Sequence, residues 1–116
     1  MSVDITIGDW SGNYTHNVSK LWHEHLLADD DSDTTGWDVI AGKTGKEAFH
    51  MLRAAFALIE ATKHKYWKLN DVGEPAFCAR YDAPNGCGST VGGLIFMAEV
   101  MAACAANPDA IVDVSL

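Results

Sequence analysis

Tyr81-Asp82-Ala83-Pro84-Asn85-Gly86-Cys87-Gly88-Ser89-Thr90 runs without a break into Val91-Gly92-Gly93-Leu94-Ile95-Phe96-Met97-Ala98-Glu99-Val100-Met101-Ala102-Ala103-Cys104-Ala105-Ala106. A glycine-broken loop thus opens directly onto an apolar helix, expected over 89–106. Ser89 is a natural N-cap, because its hydroxyl can accept a backbone N–H that the first turn leaves unpaired. Asn107-Pro108-Asp109 stops the helix. Val91, Leu94, Ile95, Ala98, Met101, Ala102 and Ala105 are its expected apolar face. The positive end of such a helix can hold an anion or a polar ligand, and it can equally be a plain loop-to-helix junction.

Beyond the stop, Ala110 to Leu116 alternates, with Val112, Val114 and Leu116 on one side. Val3-Asp4-Ile5-Thr6-Ile7 alternates at the other end of the chain, so Val3, Ile5 and Ile7 face inward. Two lone terminal strands would expose their edges, and pairing them removes that liability. Gly8 to Asn13 reads as a turn-rich connection. Val18, Leu21, Trp22, His25 and Leu26 form the stripe of a short helix over about 17–28, with Asn17 or Thr15 as its cap. Asp29-Asp30-Asp31-Ser32-Asp33 repels itself and reads as a solvated loop without the spacing of a calcium loop. Thr44 with Glu47 is a capping box that opens the longest helix, over about 45–66. Phe49, Leu52, Phe56, Ile59 and Lys63 lie along that helix, widened by Ala48, Met51, Ala55 and Leu58. Ala76 to Tyr81 reads as a strand or a single turn. The sum is one α+β domain over residues 1–116: three helices packed on a two- or three-stranded sheet that pairs the N- and C-terminal strands.

The chain has 116 residues and a net charge of −8, from 16 acidic and 8 basic side chains. That balance argues against a nucleic-acid partner, which needs Lys and Arg to displace counterions. An acidic surface offered to a basic host protein is one reading of it; solubility is the other. The cysteines are Cys78, Cys87 and Cys104, an odd number with no C-x-x-C pair, so a reducing cytoplasm is the expected home. No apolar run has the length of a membrane helix. The N-terminal M-S-V-D-I-T-I lacks the basic and apolar regions of a signal peptide.

Three helix starts carry the polar chemistry. Thr15-His16-Asn17 sets a histidine beside a capping asparagine, where it could hydrogen-bond a ligand or act as a general base. Gly42-Lys43-Thr44 offers amides and lysines to a phosphate, although Gly36-x5-Gly42-Lys43-Thr44 is one residue too long for a P-loop. Asn85-Gly86-Cys87-Gly88-Ser89 presents backbone donors through a tight turn, without the βαβ context of a dinucleotide fingerprint. Cys87 could be a nucleophile only with a histidine close by. His23 and His25, two apart on a helix, are a poor metal pair, and no metal or cofactor is expected.

Thr15-His16-Asn17-Val18, Trp37, Ile40-Ala41-Gly42-Lys43-Thr44, Tyr81 to Ser89, Cys104 to Ala110 and Val112-Asp113-Val114-Ser115 together resemble a group of small uncharacterised phage and prophage proteins. That group is similar in its T-H-N, A-K-T, N-G-W-G-S and N-P-D-A motifs. This chain departs from it at Cys87, where the group has tryptophan, and in the acidic run 29–33. The resemblance implies phage origin and the cytoplasm of an infected or lysogenic bacterial cell. It brings no activity, though a small acidic phage protein suits an accessory or host-defence antagonist.

The functional expectation is that the three helix starts converge on one pocket for an anionic or polar small molecule, a nucleotide foremost. His16, Asn17, Lys43, Thr44, Asn85, Gly86, Gly88 and Ser89 would bind it, with Trp37 and Tyr81 as stacking or lining groups. Binding is favoured over turnover, and sequestration of a signal would suit a homo-oligomer. The rival readings are an acidic inhibitor of a host protein and a small hydrolase or transferase using His16.

Overall fold

The computed structural model describes residues 2–26, 36–70, 78, 80–83 and 88–115, without the side chains of residues 16 and 65–70. The strands are β1 (Ser2–Ile7), β2 (Trp10–Thr15) and β3 (Asp113–Ser115). The helices are α1 (Ser19–His25), α2 (Gly45–Asn70) and α3 (Thr90–Ala106), with short 3-10 turns at His16–Val18 and Trp37–Val39. This is the expected α+β architecture, and the N- and C-terminal strands do pair.

The sheet has the order β2-β1-β3, antiparallel throughout. Alternation does its expected work in β1: Val3, Ile5 and Ile7 are buried while Asp4 and Thr6 face water. A sheet of two or three strands was expected, and it has three, but the strand at residues 10–15 falls where a connection was expected. Gly8-Asp9, read as part of a connection, is a two-residue hairpin turn that puts Trp10 opposite Ile7. Gly8 sits at φ +59°, which a tight hairpin requires and most side chains resist. Residues 10–15 set the strand-formers Trp10, Tyr14 and Thr15 around Ser11, Gly12 and Asn13, which break the alternation; pairing along the whole of β1 holds them.

The core gathers on the inner face of this sheet. Tyr14, Trp22, Trp37 and Phe96 come from β2, α1, the 37–39 turn and α3 and meet as one aromatic cluster. Trp22 packs edge-on to Trp37 at 5.6 Å and to Tyr14 at 6.1 Å. Phe96 lies 5.4 Å from Trp37 and stacks on Tyr14 at 6.1 Å. The Trp22 indole N–H donates to the Gly93 carbonyl at 3.4 Å, which fixes α1 against α3. Such pairs add about 0.5–1.5 kcal/mol each beyond the area that they bury.

Helix bounds shift modestly from the reading above, and burial shifts more. α1 is preceded by a 3-10 turn; its N-cap is Val18 with no side-chain cap bond, and the Thr15 hydroxyl instead accepts the Asn17 N–H at 3.3 Å. On α2 the buried line is Ala48, Leu52, Ala55 and Ile59, with Phe49, Met51 and Phe56 half-covered. On α3 the expected face is reversed. Thr90, Gly93, Phe96, Met97, Val100, Ala103 and Cys104 are buried, whereas Val91, Ile95, Ala98, Ala102 and Ala105 face water. Almost every position of this helix is apolar, so periodicity carried no direction; the Phe96 ring and the Thr90 hydroxyl decide which side turns in. The run 29–33, residues 76–77 and Leu116 lie outside the described residues.

The start of α2 is zipped to the segment that follows α3. Gly42 N–H donates to Val112 O and Val112 N–H to Lys43 O, both at 2.9 Å. Gly45 N–H reaches Ala110 O at 2.8 Å and Lys46 N–H reaches Pro108 O at 2.9 Å. α2 and α3 therefore run antiparallel. At this crossing Gly45 lies so close to the carbonyls of Cys104 and Asn107 that a Cβ there would overlap backbone. Helix propensity alone would make Gly45→Ala stabilising by about 1 kcal/mol. The close approach predicts the opposite sign, a loss of about 2–3 kcal/mol in urea unfolding.

Candidate functional site

Of the three helix starts, two meet. Gly88, at φ +135°, lies against the Thr15 side chain, near Val18 and Asn17. The Tyr14 hydroxyl accepts the Ser89 N–H at 3.1 Å, tying the end of β2 to the start of α3. The third start, Lys43-Thr44, lies by the C-terminal end of α3, where α2 begins. α3 has 17 residues, so about 25 Å of helix separates Lys43 and Thr44 from Gly88 and Ser89. A common pocket for all three is thus not formed.

Most of the donors at these two helix starts are already engaged within the chain. At α2 the capping box forms as expected: the Glu47 N–H reaches Thr44 Oγ1 at 3.2 Å, and the Thr44 hydroxyl donates to Glu47 Oε1 at 3.0 Å. Carbonyls 108 and 110 take the Lys46 and Gly45 amides, and Lys43 is exposed. At α3 the Ser89 hydroxyl accepts the Gly92 N–H at 2.9 Å, the expected cap. Asp82 Oδ1 accepts from the Thr90 N–H at 2.7 Å and from the Thr90 hydroxyl at 2.8 Å. A carboxylate of the chain itself therefore sits where a bound anion would sit, stabilised by the positive helix end.

The two aromatic residues expected to line a ligand do other work. Trp37 is wholly buried in the aromatic cluster. Tyr81 is 3% exposed and closes the 78–83 turn onto α1. Its hydroxyl donates to Glu24 Oε2 at 2.6 Å, and Arg80 reaches both the Tyr81 oxygen (3.3 Å) and Glu24 Oε1 (3.4 Å). Next to it the His25 ring packs edge-on to Tyr81 at 5.7 Å. His25 Nδ1 bonds the Leu21 carbonyl at 2.7 Å, so that nitrogen carries the proton, and Nε2 meets Thr62 Oγ1 at 3.1 Å. This Glu24–His25–Arg80–Tyr81 group was not foreseen. The only hint was that His25 belongs to the stripe of α1 and Glu24 adjoins it; a partner 57 positions away leaves no local pattern.

What remains accessible at the junction is Asn17 and Ser89, both exposed, with Thr15 and Gly88 half-covered between them. His16 belongs to the 3-10 turn at the same place, but its side chain lies outside the description, as do Asn85, Gly86 and Cys87. Cys104 is buried, and burial pushes its thiol up to about 11, which keeps it unreactive.

Burial, and then the hydrogen bond to Glu24, pushes the Tyr81 hydroxyl from 10.0 up to about 12. Between those values the folded chain holds a proton that the unfolded chain has lost, so this contribution is complete below pH 10 and falls as pH rises. Tyr81→Phe lacks it. By about pH 11 the native chain should have lost about 1 kcal/mol relative to that variant, measured by urea unfolding across the pH series. Parallel pH profiles would contradict the assignment. Comparison with protein-family models, with curated proteins and with solved structures finds no match to this chain.

Proposed function

We propose that this chain is a phage-type accessory protein that binds a small polar molecule at the junction of the Thr15–Asn17 turn with the start of α3. The observation that carries this reading is the meeting of two loop-to-helix segments, 75 positions apart, through Tyr14 and Ser89. Asn17, Ser89 and the adjacent His16 are the contacts we assign. Charge narrows the ligand. Asp82 already occupies the anion position at α3, so the polar branch of the expectation gains support and the anionic branch loses it. A nucleotide would present its base or sugar here and keep its phosphates away from Asp82. Sequestration of such a molecule fits an accessory role in an infected cell, and the motif resemblance supports that setting.

A thermal-shift series tests this. Nucleosides, nucleotides and cyclic dinucleotides at millimolar concentration should include a ligand that raises the melting temperature, with nucleosides matching or exceeding the nucleotides. A ligand at a hundredfold excess over Kd adds about 2.7 kcal/mol, or about 10 °C in a domain of this size. The variant His16→Ala/Asn17→Ala should lose the shift. A flat response across the series counts against the reading.

A second reading, an acidic inhibitor of a host protein, is favoured by the outer face of the sheet. There Asp4 stands between Asn13 and Ser115, and Thr6 between Ser11 and Asp113, with Asp9 at the hairpin tip. Among the described residues no lysine or arginine lies on the three strands. A host protein retained by the native chain at low salt should be lost with Asp4→Asn/Asp113→Asn. Unchanged retention would exclude this face.

A further inference from the structure

The outward side of α3 is the least expected surface of the molecule. Val91 is 52% and Ile95 54% exposed, and Ala98, Ala102 and Ala105 face water along the same side. Glu99 is the lone charged side chain of this helix. The spacing 91, 95, 98, 102, 105 alternates four and three, the seam of a helix that packs along another helix. On the opposite side the same helix buries Phe96, Met97 and Val100 in its own core. α3 is thus apolar on both sides, as a helix is when it is covered on both.

We infer that α3 pairs with the α3 of a second copy of this chain, antiparallel and about a two-fold axis. The order of residue sizes selects that occupant. Set antiparallel so that Ile95 faces Ala98 of the other copy, the seam brings Val91 against Ala102, Ile95 against Ala98, and the same two pairs again by symmetry. Each of these four layers then joins one branched side chain to one alanine, which matches large to small; Ala105 lies beyond the paired stretch. Parallel pairing in register would set Val91 on Val91 and Ile95 on Ile95, and leave alanine facing alanine in the other layers. Leu94 and Met101, both half-covered, flank the seam and extend the apolar contact across the axis. Glu99 faces Gly92 of the other copy instead of a second glutamate. The seam spans two heptads, which places it at the small end of interfaces, below about 1,200 Å² in total. The dimer is therefore concentration-dependent. It brings together two molecules through the helix that begins at the proposed binding junction, but it does not depend on that junction holding a ligand.

Sedimentation equilibrium on the full chain tests this. At low concentration the mass should be 12.5 kDa. It should rise toward twice that value over the micromolar to high micromolar range. Ile95→Glu should stay at the monomer mass throughout while keeping the native circular dichroism spectrum, since residue 95 is outside the core. Ala98→Ile puts two branched residues in one layer and should weaken dimerisation about tenfold. The exchange Ile95→Ala/Ala98→Ile restores one large and one small residue per layer and should return the dissociation constant to within about threefold of native. A native chain that is monomeric at every concentration overturns the proposal. So does a dimer unaffected by Ile95→Glu, which places the contact on another face, and so does an exchange variant as weak as Ala98→Ile, which rules out this register.

Discussion

The start of α3 is the constraint on which the rest of the molecule leans. A helix leaves its first amides without partners, and in a buried setting each must find one. Here three different parts of the chain supply them. Ser89 caps Gly92 from within, Asp82 reaches Thr90 from the preceding turn, and Tyr14 takes the Ser89 amide from β2. The second strand, the 78–83 turn and α3 are thereby fixed in one arrangement. The single proton of the Thr90 hydroxyl has two acceptors in reach, Asp82 Oδ1 at 2.8 Å and the Cys78 carbonyl at 2.9 Å, so a polar residue is buried with its donor satisfied. The other long helix is treated alike, its first amides taken by the 108–110 carbonyls. Both helix starts are structural joints that tie distant segments of the chain together.

The aromatic cluster does for the interior what these joints do at the helix ends. Tyr14 belongs to both. Its ring stacks on Phe96 while its hydroxyl holds Ser89, so the hairpin strand is anchored by one residue at two places. That explains how a strand interrupted by Gly12 and Asn13 persists. It also explains why Trp37, an attractive residue for stacking on a base, is not available for it: the core needs its area more than the surface does.

How much of this was legible depends on whether the signal was local. The Thr44–Glu47 box and the Ser89 cap each span four residues and have a mechanism, and both form. Alternation in Val3–Ile7 marks the inward face correctly. The Gly8-Asp9 hairpin was legible in principle, since two residues headed by glycine are a hairpin turn, but Ser11, Gly12 and Asn13 disguised the strand behind it. The face of α3 could not be read, because a helix apolar all round has no preferred side until its neighbours are known. The Asp82–Thr90 and Glu24–Tyr81 bonds lie beyond any local pattern. A carboxylate eight residues ahead of a helix residue looks like loop composition, and a partner 57 residues away looks like nothing at all. The convergence expected of three helix starts failed for a similar reason: sequence shows how a helix begins, not which end of the bundle it begins at.

The central claim is that the chain's own acceptors take the amides of Gly45, Lys46, Ser89 and Thr90. Backbone amide hydrogen exchange of the ligand-free protein reads this directly. First-turn amides ordinarily exchange quickly, because water is their partner. The amides of Gly45, Lys46, Ser89 and Thr90 should instead exchange as slowly as those in the middle of α3. Exchange at the rate of an unstructured peptide would show these donors open to solvent, and would return both helix starts to candidacy as ligand sites.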